Sequence, residues 1–282
     1  MIIDEHIHLG GLFQNTDYFI KCMDEAGIDS VLATPYMFED KNTPRVLKMK
    51  GIPPWLAGTR FASNLIKKTM RSHKMRRRYI EKPPNAYVAD MVEKYPDRIY
   101  GVYWINPNCE NTKEIERYLQ NPGFVGLKLH QVLYPCDLTG AKFSFFDIAA
   151  EYKVPVFIHV DNKNEVRTIM KHMNKTPDLK VILAHMDYYE EIAEEITDFP
   201  NLYLDISPLY AHKNSKIEHA VMHLGANRVL FGSDSPCPGS IKYAINRVKK
   251  FKISDIDKEK ILGSNILNLI KQKVVTSGMQ KV

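Results

Sequence analysis

Two histidines stand one residue apart in the run "IIDEHIHLG", directly after a short apolar stretch. Side chains at alternate positions of a β-strand point to the same side, so His6 and His8 can face one ligand together. Imidazole nitrogens are common ligands of Zn²⁺ and related divalent ions. The pair alone fits either a metal site or an ordinary strand that carries two histidines.

Four more residues with metal-binding or acid–base side chains lie at the ends of other strand-like runs. His130 ends "FVGLKLH", His159 lies in "VPVFIHV", His185 ends "KVILAH" and Asp234 ends "RVLFGSD". Each one by itself has an ordinary structural explanation. Together with the histidine pair they occupy equivalent positions, which predicts that they share one site.

The elements that would bring these residues together alternate along the chain. Short β-branched runs are followed by polar, helix-like segments, a pattern typical of βαβ units around a parallel sheet. Strands are predicted at 2–8, 29–34, 98–105, 124–130, 154–160, 180–185, 201–207 and 228–234. Helices are predicted near 15–26, 85–95, 111–120, 142–152, 162–174, 188–198, 214–224, 239–250 and 255–272.

Eight strand–helix units in 282 residues predict an α/β fold, a TIM-like (β/α)8 barrel, with an extra C-terminal helix. The strands of such a barrel carry the active site at their C-terminal ends, where the polar residues above are found. A doubly wound open sheet is the alternative. It is disfavoured because no G-x-G-x-x-G phosphate loop follows a strand.

The interval between the second and third strands is too long for one helix. Residues 36–83 hold four prolines and the basic run "KKTMRSHKMRRR", and we interpret them as an insertion in one domain that spans 1–282. Long insertions in compact domains are usually lids or binding loops. The basic run fits a solvated helix face, an anion-attracting rim or a nucleic-acid contact.

Composition narrows the class of protein. The four cysteines are scattered without a C-x-x-C pair, which indicates reduced thiols and a cytoplasmic location rather than a disulfide framework. No apolar run reaches the roughly 18 residues that a membrane helix needs. The formal net charge of +6 favours an anionic, small-molecule partner, and nucleic acid is disfavoured because charge outside the basic run is well mixed.

Several motifs together resemble the amidohydrolase superfamily. They are "IIDEHIHLG", "VGLKLH", "VPVFIHV", "VILAHMD", "VLFGSDSP" and the tail "ILGSNILNLI". The resemblance covers almost the whole chain and is strongest to the amidohydrolase-related branch, which includes the aminocarboxymuconate semialdehyde decarboxylases. It implies a deformed (β/α)8 barrel with a divalent metal at its mouth, most simply Zn²⁺, with Mn²⁺ as an alternative.

The resemblance also implies individual roles. His6, His8, His159 and Asp234 match the metal ligands. Asp234 would also act as the catalytic base, and His185 would orient the metal-bound water. These roles agree with the chemistry, because a bound divalent ion lowers the pKa of its water from 15.7 to about 7.

Lys128 and His130 have the same strand parity in "GLKLH" and are expected to bind substrate. Because some members of the superfamily carboxylate a lysine on the fourth strand to bridge two metals, a binuclear site with modified Lys128 is the alternative to a single ion. In the insertion, Arg60 and Tyr36 are the leading candidates for substrate contact, with Arg71 and Trp55 beside them.

The ligand set leaves the reaction open between two classes of enzyme. The main expectation is a metal-dependent hydrolase of a small, carboxylate-bearing ester, lactone or amide. The alternative is a non-oxidative decarboxylase of an unsaturated or aromatic acid. A TatD-like nuclease is less favoured, since "GLKLHQ" lacks the expected glutamate, and a non-catalytic binding protein is disfavoured by the intact ligands. By analogy with other barrel enzymes, the chain is a candidate homodimer.

Overall fold

The computed structural model describes residues 1–36, 68, 81–109, 111–140, 144–209, 212–236 and 241–275. Most of the predicted insertion, including Arg60, Arg71 and Trp55, lies outside these residues. In the part of the chain that is described, no helix has both the length and the apolar character needed to cross a membrane.

All eight predicted strands are present and pair in parallel in chain order. They are β1 (Ile3–Leu9), β2 (Ser30–Pro35), β3 (Ile99–Trp104), β4 (Phe124–His130), β5 (Val156–His159), β6 (Val181–Leu183), β7 (Leu202–Asp205) and β8 (Val229–Leu230). The first and last strands meet through a parallel bridge between Ile7 and Ser235, so the sheet curves round into a barrel. The predicted TIM-like (β/α)8 architecture is confirmed.

Helices follow the strands and cover the outside of the sheet. They are α1 (Thr16–Ala26), α2 (Asn85–Lys94), α3 (Thr112–Gln120), α4 (Phe145–Glu151), α5 (Lys163–Lys175), α6 (Tyr189–Ile192), α7 (Asn214–Leu224), α8 (Ile241–Val248), α9 (Asp255–Glu259) and α10 (Asn265–Val275). Asparagine side chains cap the N-termini of α1, α3 and α5 by accepting backbone N–H groups. The predicted helix at 188–198 is broken into α6 and a 3₁₀ turn, Glu195–Asp198.

A π turn, Lys260–Ser264, joins α9 to α10 and contacts the residue that follows β8. The backbone N–H of Phe231 donates to the carbonyl of Ile261 at 3.1 Å. The Ile261 carbonyl can accept this bond, because a π turn leaves a carbonyl outside the regular helical pattern. The extra C-terminal helix is therefore attached to the barrel by its backbone.

The lower interior of the barrel is apolar and is closed by α10. We call this group the floor cluster; it consists of Ile3, Leu32, Tyr100, Val102, Val125, Phe157, Ile182, Leu230, Ile266, Leu269, Ile270 and Val274. A second and larger apolar core lies between the outer face of the sheet and the surrounding helices. The floor cluster fills the end of the barrel opposite to the C-terminal ends of the strands, which leaves that upper end for polar groups.

Candidate active site

Polar side chains replace apolar ones in the upper half of the barrel interior. Residues two positions beyond members of the floor cluster point the same way, as Thr34 follows Leu32 and His159 follows Phe157. We call the upper group the mouth cluster; it consists of His6, His8, Lys128, His130, His159, His185, Asp205 and Asp234.

The predicted histidine pair enters the mouth cluster where β1 is irregular. The register of β1 against β2 shifts between Asp4 and Ile7, and both histidines are almost fully buried. Gly232 makes room for His6, because a Cβ at that glycine would lie 2.6 Å from the Cβ of His6. The rings of His6 and His8 then lie with centroids 5.4 Å apart.

Each of these two rings is oriented by an acceptor at its Nδ1 atom. The Nδ1 of His6 lies 2.8 Å from the Oδ2 atom of Asp205. The Nδ1 of His8 lies 2.9 Å from the backbone carbonyl of Pro35. A carbonyl can only accept, so the Nδ1 of His8 must carry hydrogen. His8 therefore presents Nε2, and the carboxylate of Asp205 favours the same arrangement in His6.

Asp234 lies opposite both Nε2 atoms. Its Oδ1 atom is 3.2 Å from the Nε2 of His8 and 3.7 Å from the Nε2 of His6. All three ligand atoms of this group lie within 4.8 Å of one another. Lone pairs that converge at such distances require positive charge between them, which a proton or a cation can supply. The donor set of two imidazoles and one carboxylate fits a divalent metal ion such as Zn²⁺.

The backbone places two of the predicted residues in a conformation that non-glycine residues seldom adopt. Asp234 has a φ of 58° and His185 a φ of 61°. Left-handed backbone at such residues is uncommon and is found preferentially at functional sites. At Asp234 it is held by the backbone bond from its N–H to the carbonyl of His6, at 2.8 Å.

Lys128 brings a buried positive charge into the mouth cluster. Its Nζ atom contacts the Nε2 of His6 and lies 5.2 Å from the ring centre of Trp104. An ammonium group has donors only, so the contact agrees with an Nε2 of His6 that accepts. The site as described therefore contains one protein cation directly beside its converging lone pairs.

Planar rings line one wall of the mouth cluster. The ring of His130 stacks on that of His159 at 4.1 Å, with an interplanar angle of 10°, and on Trp104 at 5.9 Å, with an angle of 11°. Tyr134 meets Trp104 edge-on at 6.1 Å. This stack leaves the site with an aromatic side next to its charged side.

His159 and His185 stand together beside that wall. Their ring centroids are 4.8 Å apart, and the Nε2 of His159 lies 3.5 Å from the Oδ2 atom of Asp187. The Nδ1 of His185 lies 2.8 Å from the carbonyl of Ser207. Because that carbonyl accepts, His185 carries hydrogen on Nδ1, which leaves Nε2 to exchange a proton or accept a hydrogen bond.

Burial and neighbouring charge shift the protonation of these groups in a consistent way. Burial, with Lys128 as the next cause, lowers the pKa of His6 to about 4 and lowers that of His8. Burial acts to raise the pKa of Asp234, but bonding and charge from the histidines outweigh it and hold that pKa below its ordinary value. Neutral imidazoles and an ionised carboxylate are the forms in which these side chains bind metal.

The structure thus brings His6, His8 and Asp234 together, while His159 lies among the same rings with its Nε2 against Asp187. Tyr36 is buried beside His8, with ring centroids 6.4 Å apart, and Arg60 lies outside the described residues. The sequence patterns did not identify Ser207, Asp187 or Asp205 as parts of the site. The one signal for Asp205 and Ser207 was their place at the end of the seventh predicted strand.

Comparison with known proteins gives a consistent result. The chain is 23% identical over 247 residues to gamma-resorcylate decarboxylase of Polaromonas sp. strain JS666, which covers 66% of this chain and 74% of the relative. Its fold matches 2,6-dihydroxybenzoate decarboxylase from Rhizobium with a TM-score of 0.64, 18% identity, and coverage of 96% of this chain and 98% of the other.

A dihydroxybenzoic acid decarboxylase from Polaromonas sp. JS666, solved with bound manganese and the inhibitor 2-nitroresorcinol, matches with a TM-score of 0.64 at 21% identity. The match covers 96% of each chain. A family model described as amidohydrolase matches residues 3–271, which run from β1 into α10. Because that match spans all eight strands of the barrel, the chain belongs to the amidohydrolase family.

Proposed function

We propose that this protein is a metal-dependent, non-oxidative decarboxylase of a small planar aromatic or unsaturated carboxylic acid. The observation that carries the proposal is the position of the converging ligand atoms of His6, His8 and Asp234 between Lys128 and a stack of planar rings. The decarboxylases among the similar proteins support it. The decarboxylase reading of the sequence therefore stands ahead of the hydrolase reading.

The residues that would hold the metal are His6, His8 and Asp234, with His159 as the fourth ligand that the family resemblance implies. A divalent ion in this position would supply a fixed positive charge that binds and orients a carboxylate-bearing substrate, and Zn²⁺ and Mn²⁺ both accept this donor set. The manganese in the similar decarboxylase supports an ion of this kind.

The aromatic wall and Lys128 would bind the substrate. A planar ring can lie against the stack formed by Trp104 and His130, since aromatic rings prefer offset-stacked or edge-on neighbours. The ammonium group of Lys128 would attract an anionic oxygen of the same molecule. Tyr36 and Arg60 are proposed as further contacts from the segment that follows β2.

Decarboxylation needs one proton at the carbon that loses its carboxylate. The bond between that carbon and the carboxylate breaks, carbon dioxide leaves, and the electron pair that remains on carbon takes up a proton. His185 presents Nε2 in the mouth cluster, and Asp234 lies in the same group of side chains. We propose that this pair delivers the proton, with His185 as the residue that carries it at Nε2.

The proposal is tested by measuring products from two panels of compounds. Protein stripped with a chelator and reloaded with Mn²⁺ or Zn²⁺ is incubated in D₂O with carboxyl-¹³C hydroxybenzoates and unsaturated acids, and separately with lactones and esters. We expect labelled carbon dioxide and one deuterium at the former carboxyl carbon. Acid release from a lactone or ester, with no carbon dioxide from any acid, would contradict the proposal and restore the hydrolase reading.

A further inference from the structure

A second group of potential metal ligands lies directly beneath the first. It consists of His6, His185 and Asp205, whose ligand atoms also lie within 4.8 Å of one another. His6 belongs to both groups. The two groups could hold two ions, or the lower group could be a set of hydrogen bonds that orients the upper one.

The contacts of the Asp205 carboxylate decide between these possibilities. Its Oδ2 atom lies 2.8 Å from the Nδ1 of His6, 2.5 Å from the hydroxyl of Ser207, and 3.3 Å from the backbone nitrogen of His185. Its Oδ1 atom accepts the backbone N–H of Ser207 at 2.6 Å. Asp205 is fully buried.

The four groups named above all donate hydrogen to the carboxylate of Asp205. An ion bound there would have to displace the donors that already surround its oxygens in a site closed to solvent. The hydrogen on the Nδ1 of His6 also blocks that nitrogen as a ligand, since an imidazole binds metal only through a nitrogen without hydrogen. The lower group is therefore complete without an ion.

Ser207 connects this arrangement to the second histidine. Its hydroxyl oxygen is 3.1 Å from the Nδ1 of His6 and 3.2 Å from the Nδ1 of His185, and its carbonyl is 2.8 Å from the latter atom. The ring of a proposed metal ligand and the ring of a proposed proton carrier thus touch the same residue. The two rings stack at 5.2 Å with an interplanar angle of 15°.

We propose that Asp205 and Ser207 are positioning residues that hold both His6 and His185 in the tautomer with hydrogen on Nδ1, and that they do not form a second metal site. The inference rests on the proposed function for one point, that the Nε2 of His6 binds the metal and the Nε2 of His185 carries the proton. A carboxylate that hydrogen-bonds a metal-binding histidine fixes its tautomer and strengthens its ligand nitrogen. Here one carboxylate would set the number of ions at one.

The chain contains an internal reference for this proposal. His8 is oriented by the carbonyl of Pro35 and has no contact with Asp205 among its described bonds. Its tautomer should therefore be independent of any change at Asp205. A comparison of His6 with His8 in the same spectrum separates loss of a specific orienting bond from a general disturbance of the site.

The test uses metal-free protein labelled with ¹⁵N in its histidines, so it does not depend on activity. Long-range ¹H–¹⁵N spectra should show hydrogen on Nδ1 for His6, His8 and His185. In Asp205→Asn the new NH₂ group must face at least one of the four hydrogen-bond donors around this side chain, and two donors cannot bond to each other. The His6 signal should therefore change, while that of His8 should stay the same. Metal affinity, measured by competition with a chelator, should fall about 10- to 100-fold.

Two more variants complete the design. Asp4→Asn is the matched control, since its Oδ1 atom can still accept the N–H groups of Ser233 and His6, now at 2.9 and 3.3 Å. We expect its metal affinity to stay within about threefold of the parent. Ser207→Ala should shift the His185 signal and weaken metal binding less than Asp205→Asn does. It provides a second test of the inference if Asp205→Asn does not fold.

Three results would overturn the inference: hydrogen on the Nε2 of His6 in the parent protein, two ions per chain of which Asp205→Asn loses one, or an unchanged His6 spectrum in a folded Asp205→Asn variant. Failure of the parent to bind any metal would refute the proposed function instead. In that case the tautomer of His6 and its response to Asp205→Asn still decide the inference.

Discussion

The lower and upper halves of the barrel interior are built on the same strands but differ in role. The lower half stabilises the fold, and the upper half holds the candidate active site. The floor cluster is apolar, sealed by α10, and contains no charged side chain. The mouth cluster holds five imidazoles, two carboxylates and one ammonium group within the same ring of strands. On β5 the floor cluster and the mouth cluster are only two residues apart, since Phe157 belongs to the first and His159 to the second. The comparison shows that residues that stabilise the fold and residues of the candidate site follow one another along the same strands. They are not divided between separate parts of the fold.

The largest effect is expected at the mouth cluster. Asp234→Asn removes the only acid among the proposed metal ligands, and we expect turnover to fall by about a thousandfold, within the 10²–10⁴ range of acid–base groups. The melting temperature of the metal-free protein should change little, because the floor cluster is untouched. Rates, metal content and thermal unfolding are measured on one preparation. Wild-type turnover by the variant would remove Asp234 from the mechanism.

The reverse result is expected from the floor cluster. Ile270→Ala leaves a cavity against the underside of the sheet, and we expect the free energy of unfolding to fall by about 2–5 kcal/mol with little change in kcat/KM. Ile256→Ala is the matched control, since the same side chain is 67% exposed there. Urea denaturation measures both. A large kinetic effect of Ile270→Ala would show that the two halves are not separable.

A smaller effect depends on pH and is centred on His212. Burial, followed by the charge of Lys216, lowers the pKa of this histidine to about 3 from the 6.5 of an unperturbed imidazole. Below pH 6.5 the unfolded chain therefore binds a proton that the folded protein does not, so stability falls as pH falls from 6.5 towards 3. At pH 4.5 the loss should be about 2–3 kcal/mol. Denaturation of parent and His212→Gln at pH 7 and 4.5 checks this, because the variant should lose about 2–3 kcal/mol less than the parent, while the other buried histidines contribute equally to both.

The smallest effect is expected where the two halves meet. In Gly232→Ala the new methyl group would lie 2.6 Å from the Cβ of His6 and 2.9 Å from the Oδ1 atom of Asp205. We expect His6 to shift and metal affinity to fall about tenfold, with a stability loss of about 1–3 kcal/mol. Gly140→Ala is the control, since its nearest neighbour would be 3.6 Å away. Equal metal affinity in the two variants would contradict this account of Gly232.

The barrel itself could be predicted because its signals are local. Each strand was visible as a β-branched run, and the ends of β4 at Phe124 and His130 agree with the prediction. The largest difference is β8, predicted at 228–234 and observed as Val229–Leu230. Directly after β8, the N–H of Phe231 bonds to the π turn, a tertiary contact that no local pattern encodes.

The candidate site could be predicted in part for the same reason. His6, His8 and Asp234 stand at strand ends, so the rule that these ends converge places them together. Asp205 and Ser207 also lie at the end of a strand, but their proposed role as positioning residues depends on which hydrogen-bond donors surround them. That depends on ring orientation and on the left-handed backbone at His185, neither of which follows from strand periodicity.

The meeting of β1 with β8 has a consequence for how the protein folds. Three backbone bonds close the ring: Asp234 to His6 at 2.8 Å, His8 to Ser235 at 2.7 Å, and Glu5 to Phe231 at 3.1 Å. Closure joins the first strand of the barrel to the last, a contact of large sequence separation and therefore of high entropic cost. An ion bound by His6, His8 and Asp234 would link the same two strands, and its binding free energy would add directly to closure. Hydrogen exchange at the backbone amides between these two strands would then slow when the metal binds. The metal ion would thus stabilise the closed barrel in addition to its part in the reaction.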